Sequence, residues 1–483
     1  MELSAVLSGV EVLEWAAEKN TGIKGVRYDS REVRPGDLFV AISGYATDGH
    51  RFIPKAAESG AAVIVCEKKP EQEIPYVLVA DSRKALAKIG ANWYDHPADK
   101  MTMIGVTGTN GKTTVTYLIK HILEQTLGAK VGLVGTIQNM IGSEVLETER
   151  TTPESFELQK LFAQMVSAGC THAVMEVSSH ALYLSRAEEI PFKVGIFTNL
   201  TEDHLDFHKT MEEYCRVKSM LFRRCEVGVV NMDDKWTKKL LDESTCEVVY
   251  YSVRNNKADL VAKDVRLMPD RVELVAVTGN ELHRIRLGIP GDFSVYNALA
   301  AAGAGLALGI PLGDIAAALK TAQGVKGRVE VVPTPGKPYT VLIDYSHTPD
   351  SLENVLKTVR GFCKGRTIAV FGCGGDRDPF KRPIMGEIAG RLADYSVVTS
   401  DNPRTEDPNA ILAEIVRGMK GCPHPYTVIE NRVKAIGWAL DHAQENDVIV
   451  LCGKGHETYQ EINHVKHHLD EREVVKEYLE KEK

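Results

Sequence analysis

Seven times along this chain a short apolar run stops abruptly at glycine and polar residues: TGTNGK (107–112), EVSSH (176–180), TNLTEDH (198–204), DYSHTPD (344–350), GCGGDRD (372–378), SDNPR (400–404) and GKGHE (453–457). Runs this short and this apolar suit strands buried on both faces. Where they alternate with helical stretches they predict a mostly parallel sheet covered by helices on both faces. MTMIGVTG reads as such a strand, Lys112 to Leu127 as the helix behind it, and KVGLVGTI, THAVMEVSS, VGIFTNL and VGVVNMDD as its neighbours. TVLIDYS, TIAVFGCGG, YSVVTSD, YTVIEN and DVIVLCGKG repeat the pattern near the end of the chain. The polar tails then gather at the carboxyl edges of two sheets, where open α/β folds bind ligands.

Two stretches read as joints: NWYDHPADK (92–100), polar with a proline, and VPTPGKP (332–338), dense in proline and glycine. They divide the chain into 1–98, 99–333 and 334–483. The expected fold is three α/β domains: a smaller N-terminal one, a central one of P-loop type and a Rossmann-like C-terminal one. A length of 483 residues with 43% hydrophobic content suits several cores. The net charge of -8 argues against a general nucleic-acid or anionic-membrane surface. No uncharged apolar stretch reaches the roughly 18 residues of a bilayer span. MELSAVLSGVEVLEWAAEKN lacks the basic start and apolar run of a secretory leader, so cytoplasmic residence is expected. Nine cysteines without a CxxC or Cys/His cluster fit a reducing compartment, and none is assigned chemistry.

The TGTNGKTT stretch has the form of a phosphate-binding loop. Gly108, Thr109, Asn110, Gly111, Lys112, Thr113 and Thr114 lie between a strand and a helix, where exposed N–H groups and the helix dipole favour an anion. Lys112 would reach the β- and γ-phosphates of ATP, and the Thr113 hydroxyl would hold Mg²⁺. Val106 stands where the longer loop form has a glycine, so the match is to the shorter GTNGKTT form. Glu176, His204 and Lys218 follow strands of the same sheet and could complete a metal site. Taken singly, they also suit a strand-end carboxylate, a loop histidine and a solvated lysine. As an ammonium, Lys218 cannot ligate Mg²⁺.

Together with YDSREVRPGDLFVAISG, MEVSSHAL, TNLTEDHLDFH, the GRVE run, DYSHTPDSLE, GCGGDRD, DNPR and GKGHETYQ, the loop resembles the Mur ligase family over nearly the whole chain. The resemblance implies an ATP-dependent, amide-forming ligase of peptidoglycan synthesis that activates a carboxylate as an acyl phosphate. It implies a carbamylated Lys218, fourteen residues after His204. Thr113 and Glu176 would hold one Mg²⁺, and His204 with the Lys218 carbamate a second. Asn297, Arg328 and Asp344 would contact ATP, and domain closure would bring all three segments around the acyl phosphate. Ser30, Thr151, Thr152, Ser178 and Arg186 would bind UDP-N-acetylmuramoyl-L-Ala-D-Glu, although Ser and Thr at such positions also cap backbone groups. Arg150 and Leu184 depart from the usual Asn and Gln of that subset.

Arg404 in DNPR would pair bidentately with a carboxylate and repel an ammonium. This favours meso-diaminopimelate over L-lysine as the incoming amine, and DNPR is the form that diaminopimelate-adding members carry. Arg382, Asp401, Asn402, Pro403, Arg404, Gly453 and Glu457 would form that pocket. Asp401 or Asp407 could instead begin a helix, with Arg404 in solvent. A lysine-adding relative, a folate polyglutamating enzyme and a P-loop ATPase or regulator are the alternatives. A UDP-sugar binding protein would not need Lys112, Glu176 and His204. A monomer is expected.

Overall fold

The structure is a computed structural model that describes residues 1–483 apart from 45–46, 72, 149, 280 and 482–483. The chain packs into two compact units, residues 1–251 with 303–310 and residues 252–302 with 311–483.

The first unit contains two sheets. The smaller runs Val12–Ala16, Tyr76–Val79, Val63–Cys66, Leu38–Val40, Val26–Arg27, with only the first pair antiparallel. Leu3, Leu38, Val63, Val77 and Leu86 belong to its buried core. In the larger sheet six strands are parallel, in the order Glu247–Ser252, Cys225–Asn231, Phe192–Phe197, Thr102–Thr107, His172–Glu176, Val131–Val134. Asn139–Ile141 and Glu144–Leu146 extend it antiparallel. Thr102–Thr107 buries five consecutive residues, as a strand covered on both faces must. The helix Lys112–Leu127 carries the chain toward Val131–Val134 on one side. The connection after His172–Glu176 crosses to Phe192–Phe197 on the other. Thr102–Thr107 therefore lies at a topological switch point. Glu176 is registered beside Val106 and Phe197 beside Thr107, so three strand ends finish level there.

The second unit holds a six-stranded sheet in the order Glu330–Val332, Thr340–Asp344, Val448–Cys452, Thr367–Phe371, Tyr395–Val398, Tyr426–Val428, antiparallel only at the first pair. The sequence reading names no strand over 260–287. There Leu260–Leu267, Val272–Thr278 and Glu281–Leu287 form an antiparallel ribbon. Val272–Thr278 buries every second residue over most of its length, the period-two pattern of a sheet with one wet face. Beneath the six-stranded sheet's carboxyl edge, Arg432 and Glu471 form a fully buried ion pair at 2.8 Å. Arg432 also donates to the Cys452 carbonyl at 2.8 Å. Among the described residues no helix is long and apolar enough to cross a membrane.

Candidate active site

The loop after Thr102–Thr107 is shaped by what surrounds it. Gly108 has φ +146°, and a Cβ there would approach Thr198 Oγ1 to 1.9 Å, so only glycine fits. The Thr109 N–H donates to the Asn199 carbonyl at 2.9 Å and the Asn110 N–H to Asn199 Oδ1 at 3.0 Å. Thr198 Oγ1 donates to the Asn110 carbonyl at 2.6 Å. The TNLTEDH tail of the neighbouring strand thus braces the loop. Gly111, left-handed at φ +86°, starts the 16-residue helix with Lys112, Thr113 and Thr114 in its first turn.

Two lysines converge on one carbonyl. Lys112 Nζ donates to Gly108 O at 3.0 Å and to Thr109 O at 2.8 Å, and Lys218 Nζ donates to Gly108 O at 2.9 Å. Lys218 is 1% exposed and sits 4.6 Å from the Tyr214 ring centroid. Burial, reinforced by the Lys112 charge, holds its pKa well below that of an ordinary lysine. A larger share of the neutral, nucleophilic amine follows.

Glu176 is buried beside them. Its Oε1 accepts from Thr113 Oγ1 at 2.9 Å and from the Thr136 N–H at 2.8 Å, and its Oε2 accepts from Thr136 Oγ1 at 3.0 Å. Thr136, which the sequence reading passed over, also lies with its Oγ1 3.1 Å from Thr151 Oγ1. The Thr113 hydroxyl and the Glu176 carboxylate present adjacent oxygens, a donor set that fits Mg²⁺. His204 is exposed and left-handed at φ +53°. Its ring lies 5.0 Å from that of His180 and 6.2 Å from that of Tyr214. Lys218 and His204 therefore border the same tyrosine. As a pair they fit a hard cation only if Lys218 supplies oxygen.

Thr152 Oγ1 donates to the Glu176 carbonyl at 2.8 Å and contacts Ser178 Oγ at 3.3 Å. Arg186 donates to the Thr152 carbonyl at 3.2 Å and to Glu154 at 3.3 Å. Ser178 also caps the short helix Ser179–Tyr183 by accepting from the Ala181 N–H at 3.1 Å, so the capping role holds for it. Ser30 is buried in the wall of a cavity of about 450 Å³ that Tyr28, Gly44 and Lys55 also line. Tyr28 separates it from a second cavity of about 360 Å³, bordered by Arg150, Glu154 and Glu157.

The remaining site residues lie in the second unit. Asn297 is 4% exposed, and its Nδ2 has no hydrogen-bond partner among the described residues. Arg328 lies over the Tyr345 ring at 5.8 Å. Asp344 Oδ2 accepts from the Val329 N–H at 2.9 Å. Burial raises the Asp344 pKa against hydrogen bonds from Ser346 and Val329.

DNPR follows its strand as a tight turn, and the next helix begins later, at Asp407. Arg404 adopts φ +51° and is not in solvent: its side chain is 18% exposed. Its Nε donates to Glu461 Oε2 at 3.1 Å and its Nη1 to the Gly375 carbonyl at 2.8 Å. Its Nη2 has no partner among the described residues. Arg382, expected to touch the amine substrate, is buried between Glu414 at 3.0 Å and Glu406 at 2.8 Å, and reaches the Gly374 carbonyl at 3.5 Å. It and Arg404 hold the GCGGDRD loop from two sides. Lys454 was missed by sequence reasoning. It is fully buried and links the pocket, donating to Asn402 Oδ1 at 2.6 Å, with Asp401 at 3.2 Å and Glu457 at 3.5 Å. Asn402 Nδ2 in turn donates to Glu457 at 3.0 Å. Burial opposes ionisation of Asp401, yet the Lys454 and Arg432 cations hold its pKa below the usual range. At Gly453, φ +112°, a Cβ would lie 2.6 Å from Asp401 Oδ2.

Three family profiles match the chain: "Mur ligase family, catalytic domain" over residues 22–94, "Mur ligase middle domain" over 106–305 and "Mur ligase, glutamate ligase domain" over 327–455. A protein of Clostridium botulinum named UDP-N-acetylmuramoyl-L-alanyl-D-glutamate--2,6-diaminopimelate ligase is 48% identical, with 99% of each chain covered. One of the same name from Clostridioides difficile is 44% identical over 100% of both. A solved structure of a ligase so named superposes with TM-score 0.77 at 29% identity, covering 100% of this chain and 99% of that one. The MurF ligase from Thermotoga maritima, solved in complex with ADP, shares the fold at TM-score 0.58 and 20% identity, covering 96% and 99%.

Proposed function

The chain belongs to the Mur ligase family, and from that premise we propose that it joins meso-2,6-diaminopimelate to the D-glutamate of UDP-N-acetylmuramoyl-L-Ala-D-Glu at the expense of ATP, in peptidoglycan synthesis in the cytoplasm. The observation that carries this reading is the convergence of Lys112 and Lys218 on the Gly108 carbonyl beside the Thr113–Glu176 pair, at the switch point of a parallel sheet.

A γ-carboxylate oxygen of D-glutamate attacks the γ-phosphorus of ATP, and ADP departs. The amine then attacks the acyl carbon, and phosphate departs as the amide forms. Lys112 and the N–H groups of 111–113 cradle the phosphates, where preorganised donors lower the barrier. Thr113 and Glu176 would hold one Mg²⁺, and His204 with carbamylated Lys218 a second, which supply charge neutralisation when bound. Thr151, Thr152, Ser178 and Arg186 orient the acceptor carboxylate, and Ser30 supports the uridine end. Asn297, Arg328 and Asp344 meet the nucleotide when the three segments 1–98, 99–333 and 334–483 close. Arg404 receives the distal carboxylate of diaminopimelate, and Glu457 its ammonium.

The test is phosphate release from ATP with the UDP-muramoyl dipeptide, offering meso-diaminopimelate, L-lysine or no amine. Release is expected only with diaminopimelate. Equal release without an amine would make the protein an ATPase, and turnover with lysine would remove the specificity.

Carbamylation of Lys218 is expected because CO₂ reacts with a neutral amine, and burial supplies one here. Labelling with ¹³C-bicarbonate should give one carbamate carbonyl resonance in the wild type and none in Lys218→Ala. A wild-type spectrum without it at saturating bicarbonate would leave Lys218 as a hydrogen-bond donor only.

A further inference from the structure

Twenty residues separate Cys225 from Cys246 in sequence, yet the fold brings their thiols together at the amino end of the large parallel sheet. Gly195 and Gly228 are direct partners on neighbouring strands. A Cβ on Gly195 would lie 2.8 Å from Cys225 Sγ, and one on Gly228 would lie 2.9 Å from Cys246 Sγ. Adjacent strands are about 4.8 Å apart, so the two sulfurs occupy neighbouring spaces left by two absent side chains. The two thiols act on each other's ionisation, Cys225 being pushed up and Cys246 down. Cys225 is buried, whereas Cys246, just before Glu247–Ser252, is half-exposed.

We propose that Cys225 and Cys246 form a reversible dithiol–disulfide site, with Cys246 the thiol that meets a peroxide oxidant and Cys225 the one that resolves it. The Cys246 thiolate attacks one peroxide oxygen, giving a sulfenic acid and releasing water once a proton is taken up. Cys225 sulfur then displaces the sulfenic oxygen as a second water. Two thiols and one hydrogen peroxide become one disulfide and two waters. The neighbouring Cys225 thiol lowers the Cys246 pKa, against the effect of burial, and so raises its thiolate fraction. Room for the motion is present because glycines, not side chains, lie beneath both sulfurs. The other seven cysteines have no cysteine neighbour among the contacts shown by the described residues.

The closed disulfide would span the crossover between Cys225–Asn231 and Glu247–Ser252. That crossover carries Asp234, whose Oδ2 accepts from the Leu200 N–H at 2.8 Å. Asn231, at its start, donates to the Thr198 carbonyl at 2.8 Å. The crosslink therefore belongs to the segment that braces the TNLTEDH tail.

The full-length protein is treated with a small excess of hydrogen peroxide, and thiols are counted after denaturation. The count should fall by two from nine, with a mass loss of about 2 Da for the two hydrogens removed. Peptide mapping without reductant should recover 225 joined to 246, and dithiothreitol should reverse it. Cys246→Ser should lose no thiols under the same treatment. A gain of oxygen at Cys246 with no crosslinked peptide, a different pairing, or nine unchanged thiols would overturn the proposal. The wild-type map decides this even if a variant folds poorly.

Discussion

Lys112→Ala is expected to lower kcat/KM for ATP by at least about 10³-fold while leaving the fold intact. Loss of one neutral preorganised donor at a developing charge commonly costs about 10²–10³ in rate, and an ammonium contributes more than a neutral donor. In this structure Lys112 lies along the loop it serves, on the carbonyls of Gly108 and Thr109. Its removal leaves Lys218 as the remaining lysine on Gly108 O, too deeply buried to follow the γ-phosphate. Phosphate-release kinetics on the variant, beside its far-ultraviolet circular dichroism, provide the check. A loss under tenfold would mean that the phosphates lie elsewhere.

Arg404→Ala should raise KM for meso-diaminopimelate by about 10²–10³-fold, equivalent to about 3–4 kcal/mol for a desolvated charge pair, with KM for ATP little changed. The guanidinium is fixed before substrate arrives: Glu461 and the Gly375 carbonyl take Nε and Nη1, and Nη2 remains for a carboxylate. Arg404→Lys should recover only part of the loss, because an ammonium cannot reproduce the fork. Equal losses in both KM values would assign Arg404 to loop architecture instead of substrate recognition.

The sequence displayed most strands of the two larger parallel sheets plainly, because most are continuous apolar runs ended by glycine or a polar residue, whereas Glu247–Ser252, with its partly exposed residues, was passed over. It also displayed the loop Gly108–Thr114, whose function depends on backbone shape encoded locally. It did not display Thr136, Lys454 or Arg432. A lone lysine or arginine in sequence reads as a surface cation, and what buries these two lies far along the chain: Asn402 is 52 residues from Lys454, and Glu471 is 39 from Arg432. Arg382 was noticed, but its ion pairs with the half-exposed Glu406 and Glu414 were not legible, since both partners lie more than twenty residues further along the chain. The ribbon over 260–287 escaped because its strands leave many residues wet instead of running apolar throughout.

Lys454 ties the turn carrying Asp401 and Asn402 to the loop carrying Glu457, with no water-exposed atom of its own. Selectivity for the incoming amine is therefore inherited as a block. A lineage, or an engineer, seeking to exchange one diamino acid for another must change two distant stretches together, since altering either alone strands a buried charge. Drift at this pocket should be slow and paired, while the solvent-facing helices around it vary freely.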